Sequence, residues 1–485
     1  MHKNRIMIAT AAFLSAAVLF GCGNTEKKVK LDPSNPVSIK VWHYYNGTQQ
    51  AAFDELVEEF NATIGREQGV YVEGYSQGSV SDLEKAVTNA VNGVVGAEEL
   101  PDIFSSYADT AYSVQQKEKL IDLTNYFTEE ELSNYVDSYV KEGYFNNDGA
   151  LYLFPVAKST EVMMLNTTDW EPFAEATGST LEELRTTEGV TEVSKRYYEW
   201  TDGLTPDILD DGKAFYGRDA MANYFIIGMR QMGTEIFSVE NGKVEIHADK
   251  EQLRRLWDNY YVPIINGYYG AYGRFRSDDI KTGDILAYTG SSTSSMYFPD
   301  KVEKEGESYE IDYLVIPAPI MEDGENYMVQ QGAGMAVTKS DEQREYASCL
   351  FLKWFAESEH NLKFVCDSAY FPVRKEANNV ETLDKVIKED NIDINPKAYD
   401  SLVSVLGNFD NIHFYATTNF ENGYSARNVL EYNLSDKAAA DKAAIDELVE
   451  EGMERSEAVA LYTTDDEFDE WYEAFVNALN EAAFQ

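Results

Sequence analysis

The order of elements predicts an α/β protein built on a largely parallel sheet, and three observations carry that expectation. Val37, Ile39 and Val41 alternate as a strand, and past an Asn46-Gly47 turn come Phe53, Leu56, Val57 and Phe60 at helical spacing. Val70 and Val72 repeat the strand. Leu83, Ala86, Val87, Ala90, Val91 and Val94 repeat the helix, with Ser81 and Glu84 in capping-box spacing at its start. Pro101-Asp102-Ile103-Phe104 is a third strand, again followed by a helical segment. Strands separated by helices run parallel, because the helix carries the chain back across the sheet.

Further along, Asn147-Asp148-Gly149 between Tyr144-Phe145 and Leu151-Tyr152-Leu153 signals a hairpin, and Pro155 to Leu165 continues as an extended segment. Helical patterns dominate from Thr180 to Tyr261, around a polar loop at Pro206 to Lys213. Ile311 to Ile316 is a strand closed by Pro317-Ala318-Pro319. Ala347, Leu350, Phe351 and Trp354 mark a helix after Ser340, and Phe468, Trp471, Phe475 and Leu479 mark the last one. Acidic runs near Glu450 and Asp465 read as solvated helix faces.

At 485 residues, 44% hydrophobic and 26% charged, the chain is long enough for two or three domains with large cores. Its formal charge of -45 repels nucleic acid, anionic lipid and anionic wall polymers. His43, His247, His360 and His413 are scattered without ligand spacing, so neither a metal nor a cofactor is expected. Cys349 and Cys366 permit one disulfide, although lone cysteines on helical faces are more often buried thiols.

The first 22 residues have a different character. Lys3 and Arg5 give a basic start, Ile6 to Phe20 carries no charge, and Leu19-Phe20-Gly21-Cys22 follows at once. The apolar run is shorter than the ~20 residues a bilayer span needs. This is the pattern of a signal peptide, residues 1–21, ending in a lipobox whose Cys22 takes a lipid. Two or more acyl chains anchor durably. The expected mature protein sits outside the bacterial cell membrane, held by lipid alone, with residues 22–36 as a polar tether.

These segments, in order, resemble the extracellular solute-binding proteins of bacterial ABC importers, in the family that includes maltose-binding protein. The likeness rests on Val37 to Asn61, on Leu100-Pro101-Asp102-Ile103 through Leu120-Ile121-Asp122-Leu123-Thr124, and on Ala150 to Pro155 with Asn166 behind it. Its fourth block is Gly332-Ala333-Gly334 followed by Ala347, Phe351, Lys353-Trp354-Phe355 and Pro372-Val373-Arg374. The resemblance implies a periplasmic-binding-protein-like fold of two α/β lobes with mostly parallel sheets, joined by hinge crossings. Carried onto this chain it implies one lobe from residues 37–155 plus 318–368 and another from 156–317 plus 369–485. The crossings then fall at Pro155, Pro317 and Pro372. It also implies a monomer that captures a small carbohydrate and delivers it to ABC permease subunits.

Ligand residues in such a fold come from the carboxyl ends of strands and from segments beside the crossings. Those positions hold Trp42 and Tyr44, then Ser106, Tyr107 and Asp109, then Thr160 and Glu161, then Ser291, and finally Tyr370 and Arg374. Aromatic faces stack on the C–H face of a sugar while hydroxyls and carboxylates bond its edge. Ser106 stands where the maltose-binding pattern has tryptophan, which argues against maltodextrin itself. A polyamine or peptide receptor is the alternative within the class. A lipid-anchored glycosidase is the alternative outside it, and no nucleophile motif speaks for one.

Overall fold

The computed structural model describes residues 29–484, except 146–147, 241–242 and 305. The expected signal peptide and Cys22 lie outside the described residues. Of the expected tether, residues 29–36 are described, and they lie on the body: Leu31 packs against the first core and the Lys30 carbonyl accepts from Gln343 Nε2 at 3.1 Å.

One sheet orders its strands Val70–Ser76, Val37–His43, Ile103–Ser106, Gly334–Val337 and Phe154–Pro155. A second orders Tyr313–Pro317, Glu161–Asn166, Ala287–Ser291 and Tyr216–Arg218. The α/β class is as expected, but the sheets are mixed rather than mostly parallel. The first three segments of the chain pair in parallel, whereas Gly334–Val337 is antiparallel to both its neighbours. In the second sheet Glu161–Asn166 is antiparallel to both neighbours, and only Tyr216–Arg218 and Ala287–Ser291 pair in parallel. The cause is the route of the chain. Gly334–Val337 and Glu161–Asn166 each arrive from the other sheet, so they enter at the edge where the crossover strands end and run against them.

The first core is built as the pattern indicates. The helix Gly47–Ala62 buries Phe53, Leu56, Val57 and Phe60 against Ile39 and Val41 of the neighbouring strand and Phe351 and Phe355 of the helix Glu342–Phe355. The next helix, Val80–Val91, starts earlier than expected. Its capping box is Ser79 with Asp82 rather than Ser81 with Glu84, and Ser79 Oγ accepts from the Asp82 N–H at 3.2 Å. The second sheet is covered on both faces: Met163 and Leu165 enter one core, Val162 and Met164 another. The 28-residue helix Gly423–Glu450 and the last helix Asp465–Phe484 pack into the former, with Leu430 and Leu434 beside Phe225 and Phe475. Within the stretch read as helical lie the strand Tyr216–Arg218 and a hairpin of Phe237–Glu240 with Lys243–Ile246.

Three connections join the sheets. The first runs from Pro155 to Glu161, the second through Gln330–Ala333 into Gly334–Val337, and the third through Ala369–Val373. They are tied to one another: Ser159 and Gln331 exchange backbone hydrogen bonds of 2.9 Å, and Lys158 and Phe371 do likewise at 3.2 and 2.5 Å. Pro372 lies on a connection, and Pro155 ends the first-sheet strand from which another leaves. Pro317 lies on none, because it is paired with Val162 inside the second sheet, and the loop behind it stays there through the bond of Thr187 N–H to the Ile320 carbonyl, 2.8 Å. The return to the first sheet therefore falls at Gln330–Ala333. The helix Ser358–Ser368 serves both sides: Phe364 belongs to the first core, while Leu362, Val365 and Cys366 belong to the core beneath Val162 and Met164. Cys349 and Cys366 are both buried free thiols.

Candidate functional site

The edges at which the crossover strands end face the connections, and two groups of polar side chains gather there. On the first sheet, Tyr44 follows the strand Val37–His43. Its hydroxyl lies 3.1 Å from the Tyr370 hydroxyl and accepts from the Ala333 N–H at 3.5 Å, so one ring joins a strand end to two connections. Burial raises both phenols well above their usual pKa; Tyr370 raises Tyr44 further, while the hydrogen bond from Tyr44 draws Tyr370 back a little. Tyr107, at the start of the helix Ala108–Gln115, completes this wall with a hydroxyl interaction to Tyr44.

On the second sheet, Glu161 begins one strand where Arg218 ends another. Arg218 donates to Glu161 Oε2 at 2.9 Å, and both side chains are almost wholly buried, at 9% and 7% exposure. Asn223 Nδ2 donates to Glu161 Oε1 at 2.9 Å, while Asn223 Oδ1 accepts from Arg427 at 2.6 Å. Arg218 also lies over the Tyr224 ring, 4.9 Å from its centroid. Burial opposes the Arg218 charge, and Glu161 with the Tyr216 and Tyr224 hydroxyls outweighs it, holding the guanidinium firmly protonated. Asp219, next along the chain, is pushed up to about 6 by burial despite Arg276 beside it. A pocket of about 20 Å³, room for a water and not for a sugar ring, lies among Thr160, Glu161, Arg218, Asn223 and Thr289. The Thr160 hydroxyl is fully buried and lacks a hydrogen-bond partner.

The two groups approach each other. Burial raises the Tyr107 phenol, and the Arg427 guanidinium from the other side pulls it back. Tyr44, Tyr107, Tyr370, Thr160, Glu161 and Ser291 are thus brought to the facing edges, Ser291 as the partner of Glu161 across the ladder. Four other residues are used differently. Trp42 is 3% exposed within the first core. The Ser106 hydroxyl donates to its neighbour's carbonyl at Tyr107, 2.8 Å. Asp109 accepts from the Thr110 N–H at 3.2 Å and lies near enough to Glu84 to add to the rise that burial gives that carboxyl. Arg374 donates to the Ala356 carbonyl at 3.0 Å and lies over Tyr135. Arg218, Asn223 and Arg427 were not expected from the sequence. Arg218 ends a three-residue strand too short to show a period, and Arg427 lies in the part of the chain the resemblance does not reach. Among the described residues no group of histidine, cysteine, aspartate or glutamate could hold a metal ion.

The sequence model of the family described as bacterial extracellular solute-binding protein matches residues 55–395. The chain belongs to that family. Its members are binding proteins rather than enzymes, and the family is extracellular. No helix among the described residues is long and apolar enough to cross a membrane. Among solved structures, the cyclic alpha-maltosyl-1,6-maltose binding protein of Arthrobacter globiformis matches with a TM-score of 0.65 at 17% identity, over 93% of this chain and 99% of that one. The GacH receptor of Streptomyces glaucescens, solved unliganded and with acarbose, matches at 0.61 and 13%, over 92% and 98%. UgpB of Mycobacterium tuberculosis, in complex with glycerophosphocholine, matches at 0.62 and 15%, over 91% and 99%. At these identities the likeness is one of fold. No curated protein matches the chain.

Proposed function

We propose that this solute-binding protein is the lipid-anchored receptor of an ABC importer and captures a carbohydrate between two lobes, one around each sheet. The observation that carries the reading is the pair of opposed walls. Tyr107 offers a half-buried ring face, Tyr44 and Tyr370, whose rings lie in the first core, offer hydroxyls, and Glu161, Arg218, Asn223 and Arg427 offer fixed donors and acceptors. Fixed polar groups beside aromatic faces suit a ligand that is apolar on one face and hydroxylated at its edge. In the second wall Glu161 offsets Arg218, so the site has no anionic excess for a polyamine. Several structural neighbours carry sugar ligands in their names, which supports the same class. Turning of the lobes about their connections would enclose the ligand and present one surface to the permease.

Calorimetric titration of the mature protein with maltotriose, a cyclic tetrasaccharide, glycerophosphocholine and spermidine tests this. Saturable binding to a saccharide without turnover is expected. Binding only to glycerophosphocholine or spermidine would overturn the sugar assignment, and hydrolysis of a glycan would overturn the receptor. The anchor has its own test: Cys22→Ser is expected to leave the detergent phase and lose acyl labelling, and a variant that still partitions with lipid would refute it.

A further inference from the structure

Lys158 stands in the middle of the first connection and is 1% exposed. Its ammonium donates to Glu142 Oε2 at 2.5 Å and to the Gly332 carbonyl, on the second connection, at 2.8 Å. The same Glu142 oxygen accepts from Gln330 Nε2 at 2.5 Å, and Gln330 also donates to the Ser138 carbonyl at 3.2 Å. One carboxylate just past the helix Asp137–Lys141 therefore fastens two connections to the first-sheet side. The third is fastened through the backbone bonds between Lys158 and Phe371. Gly332 sets how tightly these segments lie. It adopts φ +89°, and a Cβ there would sit 2.8 Å from the Ala157 carbonyl oxygen and 3.1 Å from Lys158 Cα.

A buried ion pair is a poor way to gain stability. Desolvating two charges cancels most of their attraction, and an apolar pair of similar volume often does as well. What the pair supplies is position, at the point where all three connections meet. Glu142 also lies close enough to the Tyr107 and Tyr139 hydroxyls to add to the upward shift that burial gives them.

We propose that Lys158 and Glu142 form a pivot clamp, which binds all three connections to the first lobe and leaves the bending to the residues just beyond it. On the first connection that residue is Thr160, which lies between Ser159, bonded to Gln331, and the strand Glu161–Asn166. Lys158 is a positioning residue and touches no ligand. The proposal rests on the two-lobed receptor reading, and its test uses ligand-free protein so that the two stand or fall separately.

The variant is Lys158→Met/Glu142→Gln, which removes both charges while keeping the volumes and an acceptor for Gln330. Amide hydrogen exchange is followed at Lys158, Ser159, Gln331 and Phe371, whose N–H groups make the bonds between connections. With the urea midpoint close to that of the parent, these four amides are expected to exchange about tenfold faster or more, while those of Val37–His43 and Glu161–Asn166 do not change. Parental rates at the four amides would overturn the clamp. Should the double variant fail to fold, Lys158→Arg keeps the charge but changes its shape, and the same acceleration is expected. Parental rates in that variant would likewise overturn it. Failure of the parent protein to bind maltotriose counts against the sugar reading and leaves the exchange result standing.

Discussion

Replacing Trp42 with alanine separates two accounts of the first-sheet wall. The ring follows Val41 at the end of its strand, pairs in register with Tyr75 and Phe104, and alternates with Val41 and His43 to the opposite face. It is 3% exposed. A tryptophan buries about 200 Å², and at about 25 cal/mol per Å² that is about 5 kcal/mol. Residual burial in the unfolded chain brings the figure down, into the range of about 3 to 5 kcal/mol found for removing buried aromatic side chains. Trp42→Ala is therefore expected to lower the urea midpoint strongly while changing affinity for a bound saccharide by less than about tenfold, or about 1.4 kcal/mol. Urea unfolding followed by far-ultraviolet circular dichroism, with calorimetric titration of the same preparation, measures both. An unchanged midpoint with lost affinity would refute the core assignment and put the indole against the ligand.

The Glu161–Arg218 pair gives a second test: Arg218→Met is expected to cost about 3 to 5 kcal/mol by leaving Glu161 buried without its charge partner, and Glu161→Leu/Arg218→Met to recover most of that. Urea melts of the single and double variants check it. Burial drives the His43 imidazole down to about 4, so the unfolded chain takes up a proton that the folded one refuses. Stability present above pH 6.5 is then lost as pH falls toward 4, by about 3 kcal/mol; equilibrium melts of His43→Phe are expected to show a flatter acid limb, and an unchanged limb would contradict this. Burial pushes the Cys366 thiol up to about 12 and raises Cys349 as well, so both are expected to resist a thiol reagent in the native state and react in denaturant, by peptide mapping.

Much of the first half was legible because its period survives in single segments. The stripe Phe53, Leu56, Val57 and Phe60 is buried as read, and the strand beside it begins where Val37 does. The helix start two residues early shows the limit of a local motif. Ser79 with Asp82 and Ser81 with Glu84 both have the capping spacing, and only the fold decides between them. The hairpin after Phe237 has a sequence signal of its own, Asn241-Gly242 between the segments that form its two strands. The direction of Gly334–Val337 was not legible, because it depends on which sheet the chain has just left. The candidate site divides similarly. Tyr44, Glu161 and Tyr370 could be placed from strand ends and connections. Arg427 could not, because its meeting with Asn223 joins residues more than 200 positions apart in the sequence.

On the two-lobed receptor reading proposed above, the helix Ser358–Ser368 bears on how the lobes would move. Its Phe364 is held by one core and its Leu362, Val365 and Cys366 by another, while Asn361 Nδ2 donates to the Val156 carbonyl at 2.6 Å and its Oδ1 accepts from the Val373 N–H at 3.0 Å. A helix held from both sides cannot follow both when they part, so one of its faces must slide. Close-packed side chains slide by exchanging one interlocked arrangement for another, not by stretching gradually. Opening would then be a shear step with a threshold, and a half-filled cleft would have no half-open shape to offer the transporter.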